Sequence, residues 1–470
     1  MFDRLAFSFA AFAAVTLTLD GVRAQSTEPV FYPGTNEGLF LIVTDIHFDP
    51  FSDPTLVPAL DKSPVSGWTE IFKGAAESIK SYGNDASYSL MVSALDAAAA
   101  QGMTYDYVLY TGDYLSHHFN DTYQKTAGDN PQGVTSFAIK TTQYVSQLLG
   151  DTFGNIPVYG VLGNEDSACG DYQLAPDSAF LEGVGEQWAK LSRQPGGFQA
   201  FKHDGFYKVT HPTVPDQDII ALSNVYWAKH YSDACNTNGG DPGKDVMTWL
   251  DEQLAETQQA GRKAQLLMHV PPGADARDTA RHANKETCEV SIHLFWHEHY
   301  LTDFLELMYK YAGTVDYTFS GHTHMDGFTV INDASGEPLI ANQITASVSP
   351  VFGNNPAFAV FLYDKTSGAV KDSATFYLTN LEAAAAGAKP DWQLEYDYRS
   401  TYAVPDLSAA SRASLAKTLQ NDEPLRQRFS NLYAVQSATP EIDPVNWQAY
   451  GCALDATSLD AYKTCLCSSN

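Results

Sequence analysis

Seven side chains with oxygen or nitrogen donors recur where apolar runs end. They are Asp45 and His47 in TDIHFD, Asp113 in YTGDYLSHH, Asn164 in VLGNEDS, His269 in MHVPPG, and His322 and His324 in SGHTHMDG. In the D-x-H and H-x-H pairs the two side chains are two residues apart at a strand end, so both point to one side and can grip one ion. Each piece alone has a plainer explanation: a helix cap for Asp113, an Asx turn for Asn164, a satisfied core histidine for His269. Core packing, however, does not call for the same polar punctuation at strand end after strand end. Mixed imidazole, carboxylate and amide donors suit Zn, Mn or Fe rather than Ca or a thiolate-bound metal. Seven donors exceed what one ion takes. With one carboxylate shared, they make two divalent ions about 3.5–4 Å apart, the spacing that serves in-line attack at phosphorus.

Such a set needs strands that converge. The runs LFLIVTD, YVLYTGD, IPVYGVLGN, DIIALSN, AQLLMH and DYTFSGHTH are short, apolar and rich in branched or aromatic residues, as buried strands are. Helical spacing lies between them at Ser89–Gln101, Ser136–Leu149 and Asp245–Gln258. Strand alternating with helix predicts an α/β fold with chemistry at the carboxyl ends of the strands. After Gly327 the runs FTVIN, LIANQITASVSP, AFAVFLYD and ATFYLTN predict an antiparallel second sheet, so the expected architecture is a two-sheet sandwich flanked by helices. From Leu381 the composition turns helical, which places a catalytic domain at 25–380 and a helical C-terminal subdomain with a cysteine-bearing tail at 381–470.

The 470 residues carry 28 basic against 56 acidic side chains, a net charge of −28. That surface repels polyanions at long range and excludes non-specific binding to nucleic acid or anionic membranes. A phosphate substrate then needs a local positive centre, which metal ions supply. The start, MFDRLAFSFAAFAAVTLTLDGVRAQ, reads as a secretory signal peptide cleaved after Ala24, since its apolar run is too short to span a bilayer. No later run is long enough to insert stably in a membrane. The protein is expected to be secreted or luminal, and monomeric. Six cysteines in such a chain read as disulfides, of which 15 pairings are possible. Asn120 heads the sequon Asn120-Asp121-Thr122 and is a candidate glycosylation site.

The motifs DIHFD, TGDYLSH, GNED, HVPPG, SGHTH and SVSPVFGNNPAFAVFLYD together resemble the calcineurin-like metallophosphoesterases, and among them the acid sphingomyelinase-like phosphodiesterases. The resemblance covers nearly the whole chain after the signal. It implies that Asp45, His47, Asp113 and His324 hold one metal, that Asp113, Asn164, His269 and His322 hold the other, and that a hydroxide shared by the two attacks phosphorus. It also gives catalytic weight to His117, four residues after the bridging aspartate. In that family the turn reads G-N-H, whereas here Glu165 stands in the histidine's place and Asp166 follows. Two roles for Glu165 stay open: a protonated acid that serves the leaving group, or an orienting partner of His117 with a leaving group that needs little help. Related endopolyphosphatases also lack the histidine.

The resemblance further implies the disulfides Cys235–Cys288 and Cys452–Cys465, leaving Cys169 and Cys467 to join the tail to the loop after GNED. With only a short stretch between the signal and the first strand, no saposin-like lipid domain is expected. Soluble phosphoesters such as nucleotides are therefore the expected substrates. Sphingomyelin or another phosphocholine ester, polyphosphate, and a phosphate-binding protein with a decayed site are the alternatives. Tyr226, Trp227 and His230, which follow a strand end, are candidates to stack on a substrate base, against the commoner role of a buried aromatic cluster.

Overall fold

The computed structural model describes residues 29–75, 77–282 and 291–468, so the expected signal peptide and Cys288 lie outside the described residues. In chain order the strands are β1 (Glu37–Val43), β2 (Tyr107–Tyr110), β3 (Val158–Gly160), β4 (Tyr207–Thr210), β5 (Gln217–Ala221) and β6 (Lys263–Leu267). They continue with β7 (Val315–Ser320), β8 (Gly327–Asn332), β9 (Pro338–Ile344), β10 (Ala357–Asp364), β11 (Val370–Leu378) and β12 (Trp392–Asp397). Two six-stranded sheets result, in the orders β12-β11-β10-β1-β2-β3 and β4-β5-β6-β7-β9-β8.

Each sheet contains a parallel set. In the first, β1, β2 and β3 run parallel; in the second, β5, β6, β7 and β9 do. Such strands are covered on both faces, which is why they read as unbroken apolar runs. Phe40, Leu41 and Ile42 of β1 are fully buried. The sheets pack face to face through aromatic side chains: Phe319 of β7 meets Phe40 edge to face at 5.5 Å and Phe361 of β10 at 6.1 Å. This stacking puts the carboxyl ends of both parallel sets along one edge of the sandwich.

The four late strands do not form a sheet of their own. β8 and β9 extend the second sheet, while β10 and β11 extend the first, with β10 antiparallel to β1. The crossing segment between them is tied to the loop after β1, since Val348 and Ser349 donate their N–H groups to Thr44 and Asp45 carbonyls at 3.1 Å. A boundary at 380 likewise cuts through the first sheet, because β12 is its edge strand and pairs with β11.

The helix expected at Ser136–Leu149 spans Pro131–Phe153. Asn130 caps it by accepting the Gly133 N–H, with proline in the first turn. That expected at Asp245–Gln258 spans Pro242–Gln259 and is capped by Asp241 in the same way. The C-terminal helices Ala409–Asn421, Glu423–Tyr433, Trp447–Ala453 and Leu459–Cys467 close over the second sheet. Arg412 anchors the first of them. Its buried guanidinium lies 5.1 Å from the rings of Phe328 and Tyr398, and donates to the Asn342 carbonyl at 3.3 Å. Among the described residues no helix is long and apolar enough to cross a membrane.

Candidate metal centre

All seven donors meet at the edge where the parallel strands end. Asp45 and His47 follow β1, Asp113 follows β2, Asn164 follows β3, His269 follows β6, and His322 and His324 follow β7. Five of them, Asp45, His47, Asp113, His322 and His324, take left-handed backbone conformations with φ between 46° and 73°. That costs roughly 1 kcal/mol or more each and breaks the alternation of the strand, turning consecutive donors into the same cleft. Gly112 and Gly163 let the two loops touch: a Cβ on Gly163 would meet the Asp113 carboxylate at 2.0 Å.

Asp113 sits at the middle. Its Oδ2 lies 3.3 Å from His47 Nε2 and 3.2 Å from His269 Nε2, while its Oδ1 accepts the Glu165 N–H at 2.9 Å. On one side His47 Nε2 approaches His324 Nε2 at 3.0 Å, with Asp45 Oδ1 3.7 Å from His324. On the other, Asn164 Oδ1 lies 2.9 Å from both His269 Nε2 and His322 Nδ1. The two clusters thus share one carboxylate oxygen.

The proton positions identify what this arrangement lacks. His47 Nδ1 faces the Leu115 carbonyl at 2.9 Å and must donate to it, which leaves a lone pair on Nε2. Burial and the neighbouring His117 hold His47 at about 4, so the ring is neutral and that lone pair faces a carboxylate. Burial likewise lowers His322 to about 3 and His324 well below the ordinary range. His324 Nδ1 is buried without a partner, and either tautomer of that ring leaves one polar atom unsatisfied. His269 differs. Burial opposes its protonation, but the charge of Asp113 prevails and raises it to about 9, so a proton stands where a cation would. A cluster of converging acceptors with only the His269 proton among them fits divalent cations. Asn164 is oriented for this, since its Nδ2 donates to Asp171 Oδ1 at 2.9 Å and turns Oδ1 inward.

His117 stacks on the His47 ring with centroids 4.1 Å apart. Its Nδ1 and backbone N–H both reach Asp85, at 2.9 and 2.7 Å. Burial alone would lower the imidazole, but the hydrogen bond and charge of Asp85 outweigh it and raise His117 above its ordinary value. The two acidic residues of GNED part ways. Asp166 is fully buried and accepts four backbone N–H groups, from Gly163, Asp113, Tyr114 and Leu115, at 2.7–3.1 Å. Glu165 instead lines the cleft, 6% exposed, with its carboxyl pushed up to about 10 by burial and by the charges of Asp171 and Asp113.

Three sequence expectations are corrected here. Tyr226 and Trp227 lie in a buried 3-10 turn, and Trp227 donates to the Gly243 carbonyl at 2.8 Å and packs on Trp296 at 5.0 Å, so neither reaches the cleft. His230, by contrast, is exposed and meets Tyr172 of the cleft wall with ring centroids 5.6 Å apart. Cys235 pairs with Cys169, not Cys288, because the loop after GNED runs beside the 228–236 loop, where Tyr172 O accepts the Ser232 N–H at 2.9 Å. Cys467 is disulfide-bonded and hence not to Cys169, while Cys452 and Cys465 are bonded to each other. Asn120, half-buried, donates its Nδ2 to the Ala168 carbonyl at 2.9 Å.

Residues that sequence reasoning passed over complete the frame. Asp85 has no strand end or motif to flag it. Asn224, at a strand end, braces His269 by accepting its N–H at 3.0 Å. Tyr172 places its hydroxyl 3.3 Å from His322 Nε2.

Comparison with known families agrees with this geometry. Residues 38–326 match the calcineurin-like phosphoesterases, and the chain belongs to that family. It is a phosphoester hydrolase of the divalent-metal type. Residues 338–469 match the acid sphingomyelin phosphodiesterase C-terminal region. Human acid sphingomyelinase-like phosphodiesterase 3b is 27% identical over 449 residues, covering 91% of this chain and 90% of that protein. Human cyclic GMP-AMP phosphodiesterase SMPDL3A is 27% identical over 394 residues, 81% of this chain and 79% of that one. Among solved structures, a dimetal phosphatase from Danio rerio overlays with a TM-score of 0.42 at 12% identity, over 72% of this chain and 95% of that one.

Proposed function

We propose that the protein is a binuclear phosphodiesterase of soluble phosphoesters or phosphoanhydrides, nucleotides among them. Asp45, His47, Asp113 and His324 would hold one ion and Asp113, Asn164, His269 and His322 the other, with zinc favoured by the mixed nitrogen and oxygen donors. The observation that carries this is Asp113 Oδ2, set between His47 Nε2 and His269 Nε2 at 3.3 and 3.2 Å. When bound, two divalent cations polarise a phosphoryl oxygen and make a nucleophile available near neutral pH.

The chain's own residues do the rest. Asp113 Oδ1 is occupied by the Glu165 N–H, so Oδ2 alone is presented to the centre. Asp85 fixes the Nδ1 proton of His117, leaving Nε2 as the atom from which a proton passes to the departing oxygen. Glu165 lines the same cleft, and its replacement by Gln and by His separates the two donors: an unchanged acid limb of the pH profile assigns the proton to His117. The relatives' names, which include a cyclic GMP-AMP phosphodiesterase, support a nucleotide substrate. The Cys169–Cys235 and Cys452–Cys465 disulfides support an oxidising, secretory or luminal compartment.

The test is one metal-replete preparation assayed on bis-p-nitrophenyl phosphate, ATP, a cyclic dinucleotide, sphingomyelin and polyphosphate. Hydrolysis of the soluble esters, lost on chelation and restored by Zn or Mn, is expected together with two metal equivalents by elemental analysis. Sphingomyelin as the preferred ester, or fewer than two equivalents, overturns the reading.

A further inference from the structure

The cleft does not end at the metal centre. It continues into a cavity of 310 Å³ beneath the helix Ala276–His282, and among the described lining residues the only lysine or arginine side chains are Arg277 and Arg281. In a chain of net charge −28, two guanidinium groups beside the reacting centre stand against the surrounding field.

Arg277 is carried toward the centre by an aromatic ring. Its guanidinium lies 5.2 Å over Phe352, which is 41% exposed and stands edge-on to His324 at 4.6 Å and to His117 at 5.5 Å. The phenylalanine between an arginine and two imidazoles holds the guanidinium by a cation–π contact without neutralising it. The ion pair of Arg277 is long, Nε to Glu441 at 3.7 Å, and Glu441 already accepts the Tyr450 hydroxyl at 2.5 Å. Arg281 is more than half exposed and only loosely paired, 3.5 Å from Asp278 on its own helix. Nearby carboxylates have other duties: Asp171 orients Asn164, and Asp275 accepts the Asp278 N–H.

We propose that Arg277 and Arg281 form a subsite for a second anionic group on the substrate, a phosphate other than the one attacked, with Phe352 as its support. The inference rests on the metal centre being where the ester is cleaved, and it narrows the substrate to phosphate-rich molecules: nucleoside diphosphates and triphosphates, or cyclic dinucleotides. A phosphocholine ester would bring an ammonium to the same place and be repelled. Planar guanidinium groups suit bidentate contact with phosphate, so the two arginines act as specificity determinants and touch no reacting bond.

Calorimetric titration of the metal-loaded protein with α,β-methylene-ADP and with AMP tests this without turnover. The wild type is expected to bind the methylene diphosphate at least tenfold more tightly than AMP. Arg277→Gln and Arg281→Gln, singly and together, should remove most of that margin while changing AMP affinity less than twofold, and Arg277→Lys should keep part of it. No margin in the wild type, a margin that survives both replacements, or an equal loss for AMP overturns the subsite. Because Arg281 is exposed, its variant reports even where Arg277→Gln lowers the melting temperature. Hydrolysis of bis-p-nitrophenyl phosphate on the same preparations separates the two claims: failure of the subsite leaves it intact, whereas failure of the proposed function abolishes it in every variant.

Discussion

Asp166 Oδ2 accepts the backbone N–H of Asp113 at 2.9 Å, which ties the loop after β3 to the loop after β2 through a buried carboxylate. The same side chain takes three further N–H groups, so both loops hold their shape around one carboxyl group. Replacing Asp166 by Asn puts an amide donor against other donors. The expected cost is about 2–4 kcal/mol of stability by chemical denaturation, together with fewer than two metal equivalents, because Asp113 and Asn164 lose their register. A variant that keeps full stability and metal content refutes this role.

His117 depends on Asp85. The carboxylate accepts both the Nδ1–H and the backbone N–H of His117, and Ser349 donates its hydroxyl to it at 3.1 Å. Asp85→Asn keeps the shape but removes the acceptor that selects the tautomer. A fall in kcat of roughly 10²-fold with little change in KM is expected, and the limb of the pH profile that reports His117 should move to lower pH, since Asp85 raises this imidazole. An equal loss at every pH would mean that Asp85 only supports the loop.

What the sequence could and could not disclose follows from which interactions are local. Donors at strand ends are local signals, and all seven positions from Asp45 to His324 fall where the apolar runs stop. Partnership between strands is not local. The alternation in β8 to β11 announces strands but carries no mark that β9 lies parallel to β7 while β10 turns back onto β1. The same limit applies to Cys169, whose partner Cys235 is 66 residues away, and to Asp85, which meets His117 only after the turn before the helix Tyr88–Ala99 folds over it. Tyr226 and Trp227 misled because an aromatic pair after a strand end looks alike whether it faces a cleft or a core; the 3-10 turn at Asn224–Trp227 decides, and it points inward.

The Cys169–Cys235 bond closes a 66-residue separation and pins the loop that carries Asn164, Glu165 and Tyr172. Replacing both cysteines by alanine is expected to cost about 4 kcal/mol on the chain-entropy account. Mass spectrometry of non-reduced peptides checks the pairing, and calorimetric melting checks the cost. Since Ser232 still donates to the Tyr172 carbonyl, the double variant should retain metal at low temperature and lose it on warming below the wild-type transition. Metal loss already at low temperature would show that the bond, and not the backbone contact, positions the loop.

Glu395 on β12 offers a stability switch that can be read apart from the active site. Both of its carboxyl oxygens are buried, and burial, followed by the charge of Asp326, raises the group well above the ordinary 4.5 against a weaker opposing contact from Gln436. The folded protein therefore keeps this proton at a pH where the unfolded chain has released it. Its contribution is fully present below about pH 4.5 and declines as pH rises toward the folded value, because the native state then binds more protons than the unfolded one. Glu395→Gln removes the ionisation while preserving size. Wild type and variant should melt together at pH 4, and the variant should melt higher at pH 7.5, the gap widening steadily between. A constant difference across that range, or a variant that is weaker at neutral pH, would mean that the Glu395 carboxylate has a compensating donor in solution.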